Sequence, residues 1–108
     1  MSEHHLIIVL CTCGSEKNAR QIADKLVSHQ LAACVNMQPG IESVYQWQEQ
    51  IQRDKEVLLI IKTQQDRYSE LEQVILELHD YELPEIITVP IEAGYQAYLK
   101  WITSATEK

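Results

Sequence analysis

At 108 residues the chain is the size of one domain, and 45% apolar with 23% charged residues is the balance of a globular protein, which excludes disorder, collagen and low-complexity character. Nine Lys and Arg stand against 16 Asp and Glu, a net charge of -7, which speaks against nucleic acid or an anionic membrane surface as partner. No apolar run approaches the roughly 20 residues of a membrane-spanning helix.

The opening residues Met1 to His5 lack the positive region of a secretory signal, so a cytoplasmic protein is expected. Three cysteines, Cys11, Cys13 and Cys34, form no CxxC pair and no even disulfide framework, so reduced thiols are expected. Leu6 to Thr12 is an almost unbroken apolar run, the pattern of a strand buried on both faces. Ser15 can cap a helix that carries Ala19, Ile22, Ala23, Leu26 and Val27 on one face and runs to about His29.

From Ala33 to Gln52 the apolar residues alternate at the strand period, with an interruption at Gln38-Pro39-Gly40. The hairpin tip falls at Gln48-Glu49-Gln50, without an Asn-Gly or Asp-Gly signal, and Glu56 to Thr63 is the next strand. Thr63 or Asp66 can cap a second helix with Tyr68, Leu71, Val74, Ile75 and Leu78 as its stripe, ending near His79. Pro84 and Pro90 bracket a short edge strand, Glu85 to Val89, and Tyr95, Tyr98, Leu99 and Ile102 mark a last helix.

This order predicts an α+β, ferredoxin-like βαββαβ sandwich in a single domain spanning 1–108, with an extra C-terminal helix. Val57 to Ile61 is apolar at every position, so the sheet face away from the helices needs a cover. Cys34 to Trp47, 14 residues, would reach roughly 45 Å if extended, beyond the roughly 35 Å diameter of a domain this size. An overhanging hairpin invites a partner strand in a closed homo-oligomer, unless Pro39-Gly40 folds the strand back on itself.

Cys11 and Cys13, two apart on a strand, point to one face and can offer two soft sulfurs to a metal, although the sequence alone favours Cys11 as a small buried residue ending a core strand. Cys34 reads as a core thiol. His79 closes the second helix, where a cation answers the dipole; His29 has the same explanation, and His4 with His5 reads as solvated tail. No nucleophile elbow, Walker loop or dinucleotide fingerprint is present, and Cys13-Gly14-Ser15-Glu16 lacks the arginine of an acylphosphatase-like loop. An acidic chain without Phe does not suit RNA binding on this topology. Tyr45, Trp47 and Trp101 suit an interface or a pocket, and Lys62 and Glu85 add charged groups that can converge in an intersubunit cleft.

The stretches Val9-Leu10-Cys11-Thr12, Leu31 to Asn36, Tyr45-Gln46-Trp47, Ile61-Lys62-Thr63, Tyr81 to Ile86 and Tyr98 to Trp101 together resemble the CutA family of divalent-cation-tolerance proteins. The resemblance implies a homotrimer with the architecture of PII signalling proteins, its long hairpins wrapping neighbours. It also implies a non-enzymatic role in metal tolerance, with copper or another divalent cation bound at Cys11 and His79. Leu78 stands where a family member can carry a second histidine, and Cys13 can replace that ligand. The alternative is a PII-like signalling module that binds a small ligand or partner at a cleft near Lys62, Glu85 and Trp47.

Overall fold

The computed structural model describes residues 5–108. In chain order they form β1 (Leu6–Cys13), α1 (Glu16–Ser28), β2 (Cys34–Trp47), β3 (Gln50–Gln64), α2 (Tyr68–Leu78), β4 (Ile86–Pro90) and α3 (Gln96–Ala105). The four strands make one antiparallel sheet in the order β2-β3-β1-β4, with β4 on the edge where its prolines predict it. This is the expected ferredoxin-like α+β fold with an added helix.

The sequence period explains the core. Ile7, Val9, Cys11 and Cys13 of β1 face α1 and α2 together with Thr63, Ile61, Leu59 and Val57, their partners in register on β3. Ile22 and Leu26 of α1, and Leu71 and Ile75 of α2, close over them with no exposed surface. Each fully buried apolar side chain of this kind contributes about 1.5–3 kcal/mol. Ser15 caps α1 as predicted, its Oγ accepting the Asn18 N–H at 3.1 Å. The cap expected for α2 is absent: neither Thr63 nor Asp66 serves, because the chain enters that helix through a 3-10 turn at Gln65–Arg67 without a capping side chain. Thr63 Oγ1 instead donates to the Leu31 carbonyl at 2.7 Å.

Pro39-Gly40 bends β2 without ending it. The register shifts between Gln38 and Ile41, and Gly40 takes a φ of 77°, the left-handed value at which a bulge uses glycine. The hairpin then continues to a two-residue tip, Gln48 and Glu49, at φ 51° and 68°. Those are the dihedrals a primed turn needs, reached here without glycine. The molecule measures 48 × 25 × 22 Å, so the hairpin overhangs the sheet and is not folded back.

On the opposite face the expected double burial of β3 is only half met. Val57, Leu59 and Ile61 are buried, whereas Leu58 and Ile60 are half-buried beside Ile8 and Leu10, and Ile87 and Val89 of β4 are exposed. The reason is that α3 covers one end alone, where Ile102 packs on Leu6 and Ala33 and the Gln64 amide donates to the Thr103 and Thr106 carbonyls at 3.3 and 3.2 Å. Cys34 also departs from the core reading: it pairs in register with Lys62 on this second face and is half-buried. His5 is exposed but its carbonyl accepts from the Gln65 N–H at 2.8 Å, and His4 lies outside the described residues.

Candidate metal centre

Strand alternation carries Cys11 and Cys13 to the same face of β1, and the end of α2 brings His79 to them. Their three donor atoms lie within 4.8 Å of one another. Both cysteines are fully buried and free of disulfides. Register places Leu59 and Ile86 beside Cys11, and Val57 beside Cys13, so the sulfurs have apolar flanks.

The two thiols are linked. The hydrogen bond between Cys11 and Cys13, then burial and the charge of Cys13, with Glu85 and Glu56 behind it, push the Cys11 thiol far up. The same bond holds Cys13 below its ordinary value, against the opposing effect of burial. The thiolate is the form that binds metals.

His79 is held by both ring nitrogens. The Tyr81 backbone N–H donates to Nδ1 at 3.0 Å, so the ring hydrogen sits on Nε2, which donates to the Thr12 carbonyl at 2.7 Å. Its own backbone N–H closes α2 on the Ile75 carbonyl at 2.8 Å. Asn18 fixes the same segment from α1: its Nδ2 donates to the Leu78 carbonyl at 3.0 Å, and its Oδ1 accepts from the Asp80 N–H at 3.3 Å. Asn18 was not singled out in the sequence, although it occupies the buried i, i+4, i+8 stripe with Ile22 and Leu26, where a polar residue stands out.

Of the three residues expected at a cleft, the fold brings two together. Trp47 and Glu85 line a cavity of about 510 Å³ walled also by Tyr45, Tyr81, Asp54 and Glu56. Lys62 is not there; its ammonium donates to the Asn36 side chain toward the other end of β3. The Tyr81 hydroxyl donates to Glu56 at 2.7 Å, and burial followed by that bond pushes its phenol up; Tyr45 donates to Asp54, which raises it likewise. Thr12, the residue between the two cysteines in sequence, also lines this cavity. Cationic species are favoured in the field of its carboxylates.

Residues 7–105 match the family model described as CutA1 divalent ion tolerance protein. The divalent-cation tolerance protein CutA of Thermus thermophilus is 43% identical over 99 residues, covering 92% of this chain and 96% of its own. The chloroplastic protein CutA of Arabidopsis thaliana is 42% identical over 93% of this chain, which spans only 55% of that longer relative. The solved structure of the Thermus thermophilus protein superimposes with a TM-score of 0.92 at 42% identity, covering 94% of this chain and 99% of that one. That of CutA1 from Oryza sativa gives 0.93 at 39% identity, covering 96% and 95%. The chain belongs to the CutA1 divalent ion tolerance family.

Proposed function

We propose that this chain is a non-enzymatic, homotrimeric protein of metal tolerance that takes copper or another divalent cation at the pocket formed by Cys11, Cys13 and His79. The observation that carries the reading is the convergence of two buried sulfurs and one imidazole within 4.8 Å. Soft thiolates and a borderline imidazole are the donors that copper selects. The family's name supports a role with divalent cations. The half-covered face at Leu58, Ile60, Ile87 and Val89, with the overhanging hairpin, supports assembly around a closed axis. Reduced cysteines support a cytoplasmic location.

Native mass spectrometry of the reduced protein with stoichiometric copper tests both parts at once. The expected species is a trimer with about one copper per subunit; a monomer, or a trimer that stays bare, overturns the corresponding half. Replacing Cys11 and Cys13 together by Ser should abolish uptake.

The cavity at Trp47 and Glu85 favours a second reading, a signalling module that binds a small molecule there. Glu85→Gln and Trp47→Ala would then weaken a ligand found by metabolite screening and leave copper uptake intact.

A further inference from the structure

The sulfur pair and the imidazole of the pocket are not equivalent as ligands. The sulfurs sit beside apolar strand neighbours, Leu59 and Ile86 at Cys11 and Val57 at Cys13, whereas the one lone pair of the His79 ring is taken by the Tyr81 N–H. For Nε2 to bond a metal, its hydrogen must move to Nδ1, where it would meet the Tyr81 N–H head-on. Both hydrogen bonds of the ring, to Thr12 and to Tyr81, would be lost.

Nδ1 could bond a metal only by giving up the Tyr81 N–H, so the two sulfurs are the donors left without a competing ring contact. Among the described residues, no other His, Cys, Asp or Glu joins this group. A structural zinc ion wants four ligands, and a divalent copper ion prefers a tetragonal set of nitrogen and oxygen donors. Cu(I) is the common biological ion that two thiolates satisfy alone, since its filled d shell accepts linear two-coordination.

We propose that Cys11 and Cys13 bind cuprous copper as a two-coordinate dithiolate, while His79 stays a hydrogen-bonded latch across the site and is not a ligand. This rests on the metal-binding reading above and narrows its ligand set from three residues to the two cysteines. The step balances: both S–H bonds break, two protons pass to solvent, two Cu–S bonds form, and copper remains Cu(I) throughout. The Thr12 carbonyl and the Tyr81 N–H keep their bonds to the ring, so His79 closes the pocket over the loaded pair.

The test is anaerobic titration of the full chain with Cu(I) against a competing chelator, with X-ray absorption of the loaded protein. Two sulfur scatterers and no imidazole nitrogen are expected, with the ring nitrogen NMR shifts still reporting the Nε2–H tautomer. Cys13→Ser should weaken Cu(I) binding at least 100-fold, and His79→Gln less than threefold. An imidazole nitrogen in the copper shell, or equal losses in the two variants, would overturn the proposal. The absorption and NMR data come from the unmutated chain, so a variant that misfolds does not decide the matter. A chain that takes up Cu(II) but not Cu(I) overturns this inference alone, and one that takes up neither sinks the metal-binding reading as well.

Discussion

The Tyr81 hydroxyl stands 2.9 Å from the place where a Cβ on Gly14 would lie. Gly14 opens the turn out of β1, and only a residue without a side chain lets the Tyr81 ring sit over that turn and reach Glu56. The same chain segment presents the N–H that orients His79.

Gly14→Ala is therefore expected to displace Tyr81 and destabilise the fold by about 1–3 kcal/mol, the usual cost of overpacking. In a Tyr81→Ala background the penalty should shrink, with a coupling of about 0.5–3 kcal/mol. Chemical denaturation of the four members of the cycle measures it; strict additivity would mean the two residues do not meet.

Asn18 ties α1 to the residues on either side of His79. Asn18→Ala leaves the Leu78 carbonyl and the Asp80 N–H without their partners, an expected loss of about 1–3 kcal/mol. Hydrogen exchange should quicken at Asp80 and Tyr81 in this variant and stay unchanged in the β2–β3 hairpin.

Tyr68 provides a pH dependence. Burial, and then the hydrogen bond from its hydroxyl to Glu72 at 2.9 Å, push its pKa from 10.0 up to about 12. Between those values the folded chain holds a proton that the unfolded chain has lost, so stability falls as pH rises. This contribution is complete below pH 10 and gone above about 12. Tyr68→Phe should flatten the decline across that window in thermal melts, and an unaltered slope would refute the assignment.

Ile60 and Ile87 occupy the sheet face that α3 leaves open. A charge there should be harmless to a lone chain and costly to an assembly. For the trimer proposed above, light scattering of Ile60→Lys and Ile87→Lys is expected to show the mass of one subunit in place of three, with the far-ultraviolet dichroism retained.

Most of the architecture was legible because it depends on local periods. The alternation of Ile7, Val9 and Cys11 and the helical stripe of Ile22 and Leu26 both mark the buried side correctly. The α2 cap was misread because Thr63 and Asp66 look alike as caps in one dimension, while the 3-10 turn that displaces them is set by where β3 ends. Cys11, Cys13 and His79 were visible as donor types, and the resemblance paired Cys11 with His79. The engagement of both imidazole nitrogens was not visible, since it depends on Thr12 and Tyr81 meeting His79 across elements. Lys62 was grouped with Glu85 and Trp47 at a cleft between subunits; within one chain the register of β3 sets it beside Cys34, toward the other end of the strand.

The strand register also implies an order of assembly. In the β2–β3 hairpin Trp47 pairs with Gln50, so its ladder can zip from a closed tip, an event of about 1–10 μs for hairpins in general. Placing β1 is slower, because it joins Leu6 to Gln64 and Cys11 to Ile86 and must close long loops first. Pulse-labelled amide exchange should accordingly show the hairpin protected before β1. A nascent chain thus keeps the Cys11 and Cys13 sulfurs open to solvent and oxidants until its central strand docks, so the folding step itself is what seals both thiols into the interior.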